Sequence, residues 1–211
     1  MIFKDREDAG RQLAKQLEEF ANRDDVLVFG IPRGGVPVAF QIAHSLHLPL
    51  DIFLSHKLGV PRQEELAFGA IAAGGGRYLD EQVVRMEGLS PQEIERVTEQ
   101  VRQTLDRRAA LYRGNRPPLQ VTGRTVFLVD DGIATGASMV AAIHALRQMG
   151  PATLVVAAPV APASTCARLR MLVDRLVCLH AAHDFYSVNQ FYQSFSQVED
   201  EEVLDLMRRA E

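Results

Sequence analysis

The chain has 211 residues, 47% of them hydrophobic and 24% charged, which suits one α/β domain with an appendage, or at most two small domains. A net charge of −4 disfavours a broad nucleic-acid or anionic-membrane surface, and no apolar run approaches the roughly 20 residues that span a bilayer. The opening Met-Ile-Phe-Lys-Asp-Arg-Glu-Asp lacks the apolar stretch of a secretion signal. Cys166 and Cys178 have no metal-ligand spacing and read as buried free thiols of a reducing cytoplasm.

Ala9, Leu13, Ala14, Leu17 and Phe20 make a helical stripe over 5–21, with Asp5 as its cap. The apolar run 26–31 reads as a buried strand, followed by a helix over 36–46 and a second strand over 50–55. Strand, helix, strand in that order is a right-handed βαβ unit. Residues 57–84 contain Gly59, Pro61, Gly69 and the run Gly74-Gly75-Gly76, with short strand-like pieces at 67–72 and 78–79. They read as a projecting hairpin or mobile flap. Ser90, Pro91 and Glu93 open a long charged helix over 90–113, and Arg116-Pro117-Pro118 ends it. Its Arg96, Arg102, Arg107, Arg108 and Arg113 are offset by Glu93, Glu95, Glu99 and Asp106, the pattern of a solvated helix. Then come a strand at 126–129, a helix over 137–149, a strand at 152–158, a helix over 164–172 and a strand at 175–179. An aromatic-rich segment over 181–196 and a last helix over 199–209 complete the chain. This alternation predicts the α/β class, with a doubly wound, mainly parallel sheet that binds ligands at the carboxyl ends of its strands.

The segment Val126-Phe-Leu-Val-Asp-Asp-Gly-Ile-Ala-Thr-Gly-Ala-Ser-Met139 carries the most information. A turn of small residues before a helix offers backbone N–H groups and a favourable dipole to an anion. Two carboxylates beside it suit sugar hydroxyls or a divalent cation. A sugar phosphate meets both demands. The segment resembles the phosphoribosyl-pyrophosphate (PRPP) signature of the type I phosphoribosyltransferases, and the whole chain is most similar to bacterial phosphoribosyltransferase-like proteins of about this length. The resemblance implies one domain over 1–211, with 57–84 as flap and 181–211 as a hood and C-terminal helix.

Gly30-Ile-Pro-Arg-Gly-Gly-Val36 joins the first strand to its helix, with glycines for close backbone approach and Arg33 as a forked cation. It resembles the family's pyrophosphate loop, which often holds a non-proline cis peptide, expected here near Arg33-Gly34. Ser55-His-Lys57-Leu-Gly59 follows the second strand. Lys4, Lys15 and Lys57 are the only lysines among 23 basic residues, so Lys57 stands where this chain usually places arginine. A compact ammonium suits a moving pyrophosphate oxygen. Arg62 or Arg77 could travel with the flap. In Ala182-His-Asp-Phe-Tyr-Ser-Val-Asn-Gln-Phe-Tyr192, Phe185 and Tyr186 can stack on a flat base and Asn189 can read its edge, whereas Phe191, Tyr192 and Phe195 read as packing.

The resemblance implies transfer of the phosphoribosyl group to a nucleobase-like nitrogen acceptor with release of pyrophosphate. Asp130 and Asp131 would orient the ribose hydroxyls. Gly132, Ala134, Thr135, Gly136, Ala137 and Ser138 would bind PRPP, the last five cradling its 5′-phosphate. Arg33, Gly34, Gly35 and Lys57 would hold pyrophosphate, and Mg²⁺ would ride mainly on substrate oxygens, with Asp130 and Asp131 nearby. Charge and composition imply a cytoplasmic chain with no nucleic-acid or membrane partner, and the resemblance adds the expectation of a homodimer. The family's hypoxanthine–guanine branch has a proton-moving Asp at the position of Ala134 and a Lys after the next strand, where 155–161 here offers only apolar residues and Pro159, so the resemblance disfavours an oxopurine acceptor. Two alternatives stay open: a non-catalytic sensor of PRPP or a nucleotide, and a metal-dependent hydrolase of phosphorylated sugars, against which the Thr-Gly-x-Ser turn argues.

Overall fold

The computed structural model describes residues 2–114, 116–117 and 120–210, so the Pro118 part of the expected helix terminator lies outside the described residues. In chain order the helices and strands are α1 (Arg6–Lys15), β1 (Val26–Gly30), α2 (Gly35–Leu46), β2 (Leu50–Ile52), β3 (Ser55–Val60), β4 (Gln63–Ala72), β5 (Arg77–Leu79), α3 (Glu81–Met86), α4 (Pro91–Arg113), β6 (Thr125–Val129), α5 (Ala137–Arg147), β7 (Thr153–Pro162), α6 (Ala163–Arg170), β8 (Arg175–Ala182) and α7 (Asp200–Arg209). They fall into two compact units: Met1–Phe53 with Val121–Gly136 and Pro151–Glu211, and Leu54–Gln120 with Ala137–Gly150.

The first unit is built on a five-stranded sheet in the order β2-β1-β6-β7-β8, with every neighbouring pair parallel. β1 and β6 are buried at every position, which is why their sequences are continuous apolar runs rather than alternating ones. α2 packs on β1, β2 and β6, α1 lies on α2 and reaches β7 and β8, and α6 flanks β7 and β8. Strand order reverses between β1 and β6, and the register sets Gly30 beside Val129. The loops after these two strands therefore leave the sheet side by side at the switch point, where parallel sheets bind ligands. The N-terminal segment is tied down as well. The Phe3 N–H donates to the Phe191 carbonyl at 2.8 Å, and the Gln193 N–H donates to the Phe3 carbonyl at 2.8 Å. Phe3 then packs in a buried cluster with Ala9, Val160, Ala182, Phe191 and Tyr192.

The α/β class and the parallel sheet are as the sequence implies; several boundaries differ. The strand expected over 50–55 pairs with β1 only through Ile52, and Ser55 opens β3 in a separate antiparallel sheet. The helix expected over 5–21 ends at Lys15, and a 3-10 turn covers Glu18–Phe20. β7 and β8 outrun their expected ends because their pairing continues to Pro162 and Ala182. Cys166 is buried, but Cys178 is only half-buried, and both are free thiols. Burial, reinforced by the neighbouring Cys166, pushes the Cys178 thiol up to about 12.

In the second unit, β3, β4 and β5 form an antiparallel sheet packed against α4 and α5. The register of β3 shifts around Gly59, where a β-carbon would come within 2.6 Å of the Glu64 carbonyl. The expected hairpin is present as β3 and β4, with the strand-like pieces at 67–72 and 78–79 inside β4 and β5, and α3, capped by Asp80, is an element that the sequence does not announce. The expected cap of α4 is present. The Glu93 N–H donates to Ser90 Oγ at 3.2 Å, and the Ser90 N–H donates to Glu93 Oε2 at 2.9 Å. No helix of the described residues is long and apolar enough to cross a membrane.

Candidate active site

Beyond β6 the chain stays close to β7. The Asp130 N–H donates to the Ala157 carbonyl at 3.3 Å and the Ile133 N–H to that of Val160 at 2.9 Å. This anchors the acidic pair. Arg6 Nε donates to Asp131 Oδ2 at 2.7 Å, and the two side chains are only 11% and 14% exposed. The Tyr192 hydroxyl donates to the Asp131 carbonyl at 2.6 Å, and the Asp131 N–H donates to Asp130 Oδ1 at 2.9 Å. Burial, then the Asp131 charge, pushes the Asp130 carboxyl well above the usual carboxylate range. Burial also raises Asp131, but there the Arg6 guanidinium opposes it directly. Both carboxyls are thus pushed upward by burial, and Asp131 is the one clamped by a cation. Burial and the Asp131 carboxylate push the Tyr192 phenol upward, which keeps it a neutral donor.

The loop after β1 crosses directly beside these acids. The Ile31 N–H donates to the Val129 carbonyl at 2.9 Å. The cis peptide lies between Pro32 and Arg33, one bond before its expected place. A β-carbon on Gly34 would overlap Asp131 Oδ2, and one on Gly35 would sit 2.6 Å from the Val129 carbonyl and 2.9 Å from Asp130 Cα. Both glycines thus serve close approach of the loop to the acidic pair, a contact within the chain. Gly34→Ala is expected to displace the Asp131 carboxylate and destabilise the fold by about 1–3 kcal/mol, the usual range for overpacking. A urea titration would show it as an earlier midpoint; an unchanged midpoint would mean that the loop yields freely. Arg33, expected to face pyrophosphate, has its Nη1 at 3.2 Å from Glu199 Oε2 and 3.9 Å from Asp200 Oδ1, at the start of α7.

The phosphate-loop candidates are held from α6. Thr165 Oγ1 donates to the Ala134 carbonyl at 3.0 Å, and Arg168 Nη2 donates to the Thr135 carbonyl. Gly136 has a φ of 76°, and its β-carbon would lie 2.9 Å from Thr165 Cγ2. At Gly132 a β-carbon would overlap Val188. Ala137 and Ser138 open α5, which with Lys57 belongs to the second unit. Lys57 Nζ donates to Glu65 Oε2 at 3.0 Å and, with His56, Arg96 and Gln100, lines a pocket of about 370 Å³. In the same unit Arg77 Nη1 pairs with Glu95 Oε2 at 3.1 Å.

Of the expected base-stacking residues, Phe185 stacks on Phe191 with centroids 5.5 Å apart, and Tyr186 is 90% exposed. Asn189 accepts from the Ser187 hydroxyl. Phe191 and Tyr192 are buried, and Phe195 lies under the Arg6 guanidinium. The structure brings Gly34, Gly35, Asp130 and Asp131 together and adds five side chains that the sequence reading does not place in a site: Arg6, Thr165, Arg168, Tyr192 and Glu199. Their partners lie far away in sequence, so no local pattern marks them. Among the described residues no three His, Cys, Asp or Glu side chains converge as a metal site.

A phosphoribosyl transferase domain model matches residues 2–195. The chain is 44% identical over 209 residues to "Putative phosphoribosyl transferase Rv0571c" of Mycobacterium tuberculosis (strain ATCC 25618 / H37Rv), covering 99% of this chain and 47% of that protein. "Putative phosphoribosyl transferase MT0597" of strain CDC 1551 / Oshkosh matches to the same extent, so the chain spans about half the length of the curated relatives it matches. The crystal structure of TT1426 from Thermus thermophilus is 39% identical and superposes with a TM-score of 0.90, with 99% of each chain covered.

Proposed function

The chain belongs to the phosphoribosyl transferase domain family, and from that premise we propose that it moves the 5-phosphoribosyl group of PRPP to a nitrogenous acceptor and releases pyrophosphate. The observation that carries this reading is the half-buried Asp130-Asp131 pair at the switch point of the sheet, followed directly by a turn of small residues.

In the proposed reaction the acceptor nitrogen forms a bond to C1 of the ribose as the bond from C1 to the pyrophosphate oxygen breaks. Positive charge grows on the sugar and negative charge on the leaving group, so catalysis rests on positioning and on leaving-group stabilisation. Asp130 and Asp131 accept hydrogen bonds from the ribose hydroxyls. Ala134, Thr135, Gly136, Ala137 and Ser138 supply backbone and hydroxyl donors to the 5′-phosphate. Arg33 meets pyrophosphate by exchanging its present carboxylate partners for phosphate oxygens, which the guanidinium fork accommodates equally well. The family resemblance gives Lys57 a part in holding the same group. Two adjacent carboxylates, one already clamped by Arg6, suit a Mg²⁺ ion that keeps mainly substrate and water ligands. When bound, that ion shields charge on the departing pyrophosphate.

Titration of the protein with PRPP in the presence of Mg²⁺ tests the reading at its first step. Saturable one-site binding is expected, and its absence would remove the proposal. Thr135→Val should weaken that binding about ten- to a hundredfold, the worth of one hydrogen bond to a charged group. An unchanged dissociation constant would take Thr135 out of the site.

A further inference from the structure

Arg6 is held at three points. Its Nε donates to Asp131 Oδ2 at 2.7 Å, its Nη1 donates to the Ser196 carbonyl at 2.7 Å, and its guanidinium carbon lies 3.8 Å from the centroid of the Phe195 ring. The backbone below it is fixed too: the Asp8 N–H donates to Asp5 Oδ1 at 2.8 Å, capping α1, and Phe3 is bonded to the 191–193 segment. An ion pair so far withdrawn from solvent is a poor device for stability, because the desolvation of both charges offsets most of their attraction. What it does supply is geometry. A planar fork gripped at three points has one orientation, which a lysine ammonium would not have.

The surroundings of Asp131 lead to the same view. The missing β-carbon of Gly34 leaves the space that Oδ2 occupies, and the Tyr192 hydroxyl fixes the Asp131 carbonyl. The backbone, one carboxylate oxygen and the neighbouring loop are all set, so the second oxygen, Oδ1, has a defined direction. We propose that Arg6 is a positioning residue for sugar recognition: it holds Asp131 so that Oδ1 takes a ribose hydroxyl. This rests on the phosphoribosyl-transfer reading above. It also ties sugar binding to the 192–196 segment, since Tyr192, Phe195 and Ser196 touch either Asp131 or Arg6.

The test is calorimetric titration of the wild type, Arg6→Gln and Arg6→Lys with PRPP, ribose 5-phosphate and inorganic pyrophosphate, each with Mg²⁺. Arg6→Gln should lose about ten- to a hundredfold in affinity for the two sugar ligands and keep its affinity for pyrophosphate. Arg6→Lys should recover part of the sugar affinity. A general structural role would weaken all three ligands together, and that result, or no change in sugar affinity, would overturn the inference. Should the glutamine variant not fold, Arg6→Lys alone carries the test: a loss confined to the sugar ligands supports the role, and equal losses or none refute it. A wild type that binds no PRPP would instead sink the underlying functional reading, so the two failures are distinct.

Discussion

Asp131→Ala is expected to cost about 3 kcal/mol of folding stability and to remove measurable PRPP binding. The Arg6 and Asp131 side chains are largely withdrawn from solvent, and deleting one partner leaves the other charge uncompensated, a loss of about 3–5 kcal/mol where burial is complete. We take the lower end because Arg6 keeps the Ser196 carbonyl and the Phe195 ring. Urea denaturation of the variant would show a much earlier midpoint with an unchanged slope. A midpoint equal to that of the wild type would mean that the pair contributes nothing to the fold.

The neighbouring acid should behave in the opposite way. Asp130 has its pKa raised in the folded protein, first by burial and then by the Asp131 charge. The folded state therefore binds this proton more tightly than the unfolded chain. Stability from this group is fullest below the unfolded carboxylate value and is lost as pH rises toward the folded value. At neutral pH an ionised Asp130 works against folding. Asp130→Asn is thus expected to raise the thermal midpoint at pH 7, with the gain shrinking as pH falls toward about 3. It should also weaken PRPP binding about ten- to a hundredfold through loss of a charged acceptor. A less stable variant at pH 7, or a gain that does not change with pH, would contradict the assignment. Opposite stability effects from two adjacent acids would set them apart from a merely structural acidic turn.

The main features of the first unit are legible because the physics behind them is local. The runs that become β1, β6 and β7 are apolar at consecutive positions, which is what burial on both faces requires, and Ser90 with Glu93 marks the start of α4 through contacts three residues apart. The acidic pair and the small-residue turn follow β6 directly, so their place at a strand end is legible as well. The partners are not. Arg6 looks like an ordinary polar residue in the first turn of a helix, yet it meets Asp131, 125 residues away. Arg33 looks like a free cation until α7 brings Glu199 to it, across 166 residues. In the sequence the glycines of the β1 loop read as room for a ligand, whereas Gly34 and Gly35 make room for the acids themselves. The strand-like pieces read at 67–72 and 78–79 fall in β4 and β5, whereas β3 and the start of β4 are obscured by Gly59, Pro61 and a register shift, which break the alternation that betrays an antiparallel strand.

The most direct test of the central claim is release of pyrophosphate from Mg²⁺–PRPP, followed across purine and pyrimidine bases, orotate, nicotinate, quinolinate and simple amines. Acceptor-dependent release, lost in Asp131→Ala, is the result expected of a phosphoribosyltransferase, and the responding compound identifies the acceptor. PRPP binding with no release for any acceptor would contradict transfer and point to a protein that senses PRPP.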